Sequence, residues 1–258
     1  MPKKTKRSQV QEIIKCGKDP NYFFKNYLKI QHPVRGLIPF DTFPFQDECV
    51  EQFNEHRFNI VLKSRQLGLS TLVAAYSVWM AIFQREKNIL IIATKLAVAQ
   101  NFIRKVKTYI KSMPNWLLVP TVTANNKQQV EFSNGSQIKA VPTSEDAGRS
   151  EALSLLIVDE AAFVRNFDEL WMGLYPTLST GGRAIILSTP NGVGGQYHEI
   201  YTKAERKENK FNPIKLMWDV HPERDDDWFE KETKNMSQKQ VAQELMCDFA
   251  SSGDTFLS

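Results

Sequence analysis

The chain has 258 residues, 42% of them hydrophobic and 24% charged, with a formal net charge of +4. These are the proportions of an ordinary folded protein, long enough for one large domain or one core with an appended subdomain, and they exclude a disordered or low-complexity chain. So mild a charge permits a polyanionic partner without arguing for one.

Residues 1–19 are polar and basic, with Lys3, Lys4, Lys6 and Arg7, and are expected to form a mobile tail, either solvated or a DNA-touching arm. Residues 20–57 carry many aromatics together with Pro33, Pro39 and Pro44, which suits short helices and turns. From residue 58 strands and helices alternate. FNIVLK is a buried strand, and LSTLVAAYSVWMAIF is a helix apolar nearly all round, hence one enclosed by the fold. NILIIAT is a second apolar strand, followed by an amphipathic helix from about Leu96 to Lys111. QQVEFSNGSQIKAV is a β-hairpin turning at Asn134-Gly135. LSLLIVDE and RAIILSTP are short continuous apolar strands that end in polar residues. The last fifty or so residues show charged helical stretches around 225–248 and little strand character, which suits a separate small subdomain.

This alternation predicts a mostly parallel sheet covered by helices on both faces. Ligands of such sheets bind at the carboxyl ends of the strands, where KSRQLGLST, VDEAAF and LSTPNG gather here. The three cysteines, Cys16, Cys49 and Cys247, are far apart and form no metal-binding pattern, so each is expected to pack in the core of an intracellular protein. The longest nearly apolar run, Leu69 to Phe83, is shorter than the roughly 20 residues a membrane-spanning helix needs. No apolar stretch follows PKKTKR, so no signal peptide is expected.

KSRQLGLST compares with the phosphate-binding pattern GxxxxGK[ST], in which backbone N–H groups cradle phosphates, a lysine neutralises them and a hydroxyl binds magnesium. Gly68 and Ser70 match. Leu69 stands where the lysine belongs, and Lys63 where the first glycine belongs. Lys63 at the strand end or Arg65 in the loop can bring the missing charge, since what matters for a lysine is where its ammonium arrives. The alternative is that both are surface cations of a strand-to-helix turn. Asp159-Glu160 closing LSLLIVDE has the form of a Walker B pair, one acid for magnesium and the next for the attacking water. Ser188 and Thr189, ending the strand before Pro190, place small hydroxyls where a γ-phosphate can be sensed.

Together SRQLGLST, IVDEAAF, LSTPNG and the upstream PFQ resemble the large terminase subunit of T-even-like tailed bacteriophages. EFSNGSQIKA and NFDELWMGLYPTLSTGGR also resemble that family, and the likeness runs from about Phe45 to SSGDTFLS. It implies a P-loop ATPase of the class with a strand between the two Walker motifs, with a small helical lid. The expected division is a basic tail and helical segment at 1–44, an ATPase core at 45–207 and a lid or linker at 208–258, without the family's C-terminal nuclease. The resemblance implies an ATP-driven motor that moves double-stranded DNA into a procapsid. It implies ATP and Mg2+ as cofactors and backbone contacts to DNA. It further implies the portal protein and small terminase subunit as partners, and a ring when assembled, with the isolated domain either ring or monomer. The place of action is the host cytoplasm, at the portal.

Carried over by position, Phe45 and Gln46 are cofactor-binding, Gln46 meeting adenine, and Lys63, Ser64, Arg65, Gln66, Leu67, Gly68, Leu69, Ser70 and Thr71 hold the phosphates. Ser70 and Asp159 bind magnesium, Glu160 orients the water, and Ser188, Thr189 and Pro190 couple hydrolysis to movement. The arginine finger is either Arg65 in cis or Arg149 reaching a neighbour, and the gripping cation is either Lys63 or Arg65. The acidic run Asp225-Asp226-Asp227 reads as the start of a solvated helix rather than a nuclease centre. Cations on the helices near Arg104, Lys105, Lys107 and Lys111 and near Lys203, Arg206, Lys207 and Lys210 are either solvated faces or DNA contacts. Two other functions remain: a non-hydrolysing nucleotide- or DNA-binding module of a capsid assembly, and a helicase-like translocase.

Overall fold

The computed structural model describes residues 5–143 and 152–253. In chain order these form α1 (Lys6–Lys18), α2 (Pro20–Tyr27), β1 (Lys29–His32), β2 (Gly36–Pro39), α3 (Pro44–Glu55), β3 (Phe58–Lys63) and α4 (Leu69–Phe83). Then come β4 (Asn88–Ala93), α5 (Leu96–Ser112), β5 (Val122–Asn125), β6 (Gln129–Phe132), β7 (Gln137–Pro142), β8 (Leu155–Asp159) and α6 (Phe167–Leu174). The chain continues through β9 (Arg183–Ser188), α7 (Gly195–Glu205), β10 (Asn212–Leu216), α8 (Asp226–Thr233), α9 (Gln238–Glu244) and α10 (Phe249–Ser252).

The central sheet has eight strands in the order β10-β3-β9-β8-β4-β7-β6-β5. The pairings from β10 through β7 are parallel, and β7-β6 and β6-β5 are antiparallel. Its continuous apolar strands feed two cores by alternation, because successive side chains leave opposite faces. Val61, Ile91, Ile157 and Leu187 join a core with α1 to α5, while Leu62, Leu90, Val158 and Ile186 join one with α6 and α7. Enclosure explains why α4 can be apolar all round: twelve of its fifteen residues are buried.

Three expectations change. Lys6–Lys18 is a helix where a mobile tail is expected. Its Thr5 cap accepts from Ser8 N, Cys16 is fully buried, and the indole of Trp79 donates to the Cys16 carbonyl at 2.9 Å. The charged face hides a narrow contact strip, in which Gly17 lets Phe83 approach to 3.3 Å from where a Cβ would stand. Second, β1 and β2 form a small antiparallel hairpin inside the segment expected to be helices and turns. Third, the 208–258 segment is not set apart from the core, because β10 lies in the main sheet beside β3. Pro213 disguises that strand, and it is tolerated because β10 is an edge strand. The hairpin of β6 and β7, the short helix after Asp225, whose side chain accepts from Trp228 N, and three buried free cysteines are as expected.

Candidate active site

The strand order places β9 between β3 and β8, so the polar ends of all three meet at one edge. The loop from β3 to α4 turns on two left-handed residues, Gln66 at φ 59° and Gly68 at φ 74°. Leu67 and Leu69 point into the core, each 2% exposed, and pin the loop from beneath. Leu69 is therefore a packing residue, and α4 begins there with Thr71 N and Leu72 N donating to the Gly68 carbonyl at 3.0 Å. The Gln46 amide is buried and donates to the Leu67 carbonyl at 2.9 Å, while its oxygen accepts from Phe43 N at 3.1 Å. Phe45 stacks on Phe43, and the His221 ring lies 4.4 Å from the Phe43 ring.

Two polar pairs stand side by side at the strand ends. The Lys63 ammonium, 5% exposed as a residue, donates to Glu160 Oε1 at 2.8 Å. Ser70 Oγ donates to Asp159 Oδ2 at 2.8 Å. Glu160 takes a left-handed conformation at φ 55°, which turns its side chain back across the strand ends. Its other oxygen faces Ser188 Oγ at 3.5 Å and Thr189 N at 3.4 Å, and Ser188 Oγ accepts from Ala162 N at 3.1 Å. Pro190 is buried behind them.

Asp159 Oδ1 is buried without a hydrogen-bond partner. Burial, and then the neighbouring Glu160, push the Asp159 carboxyl above its ordinary value, against the pull of Lys63, Ser70 and Lys105. An orphaned carboxylate oxygen beside a hydroxyl suits a hard divalent cation that prefers oxygen ligands, so the donor set fits magnesium.

The structure divides the two cations that the sequence leaves open. Lys63 meets the acidic pair. Arg65 instead pairs with Glu244 Oε2 at 3.1 Å and is largely exposed. The C-terminal segment clasps the loop through its backbone as well: Ser64 N donates to the Leu216 carbonyl at 2.7 Å, and Arg65 N and Ser64 Oγ to the Glu244 carbonyl at 2.7 and 2.9 Å. The Arg224 guanidinium donates to the carbonyls of Arg65 and Gln66 at 3.2–3.3 Å. Glu244, Arg224 and His221 carry no local motif, and only the fold brings the first two to the loop and His221 to Phe43 and Phe45. Arg149 lies outside the described residues.

Residues 60–258 match the family described as terminase large subunit, T4likevirus-type, N-terminal. This chain belongs to that family. The large terminase ATPase domain of Thermus phage P74-26 is 20% identical, with a TM-score of 0.65 over 76% of this chain and 89% of that one. The large terminase of bacteriophage HK97 is 14% identical, with a TM-score of 0.65 over 88% of this chain and 47% of that one. The large terminase of a thermophilic bacteriophage, solved in complex with ATP-γ-S, is 12% identical, with a TM-score of 0.65 over 81% of this chain and 53% of that one. At these identities the likeness is one of fold, and this chain spans about half the length of the latter two proteins.

Proposed function

We propose that this terminase domain hydrolyses ATP at the meeting point of β3, β8 and β9, with Lys63 as the phosphate-gripping cation and Glu160 as the residue that orients and deprotonates water. The observation that carries this reading is the Lys63–Glu160 ion pair standing beside the Ser70–Asp159 hydrogen bond. Each partner of the ion pair occupies the other. When a triphosphate enters, its oxygens compete for the Lys63 ammonium, and the Glu160 carboxylate is released to accept from a water. That water's oxygen bonds to the γ-phosphorus as the bond from phosphorus to the β–γ bridging oxygen breaks. ADP leaves with that electron pair, and Glu160 takes the water's proton.

Ser70 and Asp159 would hold magnesium, which when bound would supply positive charge to offset that of the phosphates. Ser188 and Thr189, already facing Glu160, report the γ-phosphate to the rest of the sheet, with Pro190 fixing the strand end. Gln46 and Phe45 lie at the other end of the loop, where the adenine belongs. Arg65 becomes a finger only after it leaves Glu244. The work done is translocation of double-stranded DNA held by its backbone, on a portal in the host cytoplasm, with the small terminase subunit and further copies of this chain as partners.

Glu160→Gln tests the reading. It should retain ATP binding and lower turnover by about 10²-fold or more. Lys63→Ala should weaken ATP binding at least as much as Arg65→Ala does. Normal turnover in Lys63→Ala together with loss in Arg65→Ala would assign the grip to Arg65. Tight binding without turnover in the unaltered protein, assembled on DNA, would favour the non-hydrolysing module.

A further inference from the structure

Beside the Ser70–Asp159 pair lies a cavity of about 470 Å³ between α4, α5 and β1. Ser70, Thr71 and Asp159 line one wall, and Asn101, Arg104 and Lys105 of α5 line another. Positions 101, 104 and 105 share one helix face, three and four residues apart. The Tyr109 hydroxyl donates to the Thr71 carbonyl at 2.9 Å and fixes that face against the first turn of α4. Neighbouring Lys107 leaves in another direction and donates to the Asn126 carbonyl at 2.7 Å. Of the cations on α5 that suit either a solvated face or a DNA contact, Arg104 and Lys105 thus line the cavity beside the candidate active site, Arg104 exposed and Lys105 half-buried.

Lys105 is held there without compensation. It makes no hydrogen bond or ion pair among the described residues, and its ammonium lies 5.6 Å from the centre of the Phe102 ring. Loss of water lowers its proton affinity, and the charge of Asp159 works against that loss. A half-buried ammonium with no partner is costly unless a ligand supplies the anion. Asp159 is not that anion, because Ser70 and the oxygen suited to a metal already account for its carboxylate. Lys63 stands against Glu160, which does not line this cavity, so the two lysines approach the strand ends from different sides. The P-loop's own cation is absent, replaced by the buried Leu69.

We propose that Lys105 is a second phosphate-binding cation of the site, contacting the terminal phosphates of ATP from the side of the Ser70–Asp159 pair and supplying charge that Leu69 cannot. This rests on the reading of the site as the ATP site. Lys63 and Lys105 then bracket the triphosphate, one from the end of β3 and one from α5.

The test is nucleotide binding by calorimetry in a Glu160→Gln background, where turnover does not interfere. Lys105→Ala and the longer neutral Lys105→Gln should each weaken ATP-γ-S about tenfold, the loss of one charge-assisted contact, and leave AMP binding unchanged. Lys105→Arg should recover most of the affinity. Unchanged ATP-γ-S affinity in both neutral variants overturns the proposal, as does an equal loss for AMP, which would place Lys105 away from the phosphates. If the Glu160→Gln parent binds no ATP-γ-S, the reading of the site itself falls. Binding lost in Lys63→Ala but intact in Lys105→Gln removes Lys105 alone.

Discussion

Asp159 sits where the fold disfavours its charge. Its carboxyl is raised chiefly by burial, so folding disfavours its ionised form. For an acid raised in this way, the stabilising contribution is complete below the unfolded value and is lost as pH rises through the folded one. At neutral pH without nucleotide the ionised group therefore works against the fold. Asp159→Asn should raise stability in EDTA at pH 7.5 by about 1–3 kcal/mol and abolish magnesium-dependent gain in ATP affinity. The stability gain should shrink as the pH of the melt is lowered. A lower melting temperature for the variant at pH 7.5 would show that the carboxylate is held better than its surroundings indicate. Other residues were readable in advance from their chemistry alone. Ser70, Asp159 and Glu160 are legible by type and spacing, Lys63 only as one of two candidate cations with Arg65, and the structure pairs Lys63 with Glu160 and Ser70 with Asp159. Arg224 and Glu244 were not, since a guanidinium or carboxylate on a charged helix looks the same whether or not a loop lies against it.

At the scale of the element, the loop between β3 and α4 depends on Gly68. Its φ of 74° disfavours any side chain, and an added Cβ would stand 2.8 Å from Gln46 Nε2. Gln46 can retreat only by giving up its bond to the Leu67 carbonyl. Gly68→Ala should therefore cost about 1–2 kcal/mol by denaturant unfolding, with weaker ATP binding as the loop shifts. An unchanged midpoint would mean that the turn relaxes freely. The strands and helices around this loop were legible wherever burial is two-sided. FNIVLK and LSTLVAAYSVWMAIF match β3 and α4 because unbroken apolar runs leave few other structures open. Where one thin strip does the packing, as in α1, or where Pro213 stands in an edge strand, composition points the wrong way.

Across the whole molecule, β10 ties the end of the chain to its nucleotide edge. Removing residues 208–258 would uncover the flank of β3, and would strip Phe249 from its contacts with Tyr197, His198 and Tyr201. An exposed, apolar parallel strand is a template for association. The shortened chain should aggregate on size-exclusion chromatography and fail to bind ATP. A monomeric product with a cooperative melt would instead establish 208–258 as a separable unit. The helical part of that segment was expected from its charge pattern, but its attachment was not, because strand pairing between positions so distant in sequence leaves no local trace.

The clasp on the phosphate loop also sets an order of events during synthesis. Ser64 N waits for the carbonyl of Leu216, and Arg65 N for that of Glu244, 179 residues further along the chain for the Arg65–Glu244 pair. A ribosome must deliver the chain through Glu244 before this loop is closed, and such distant pairings form late because their loop entropy must be met first. The phosphate loop therefore reaches its clasped form only after the chain around position 244 has emerged.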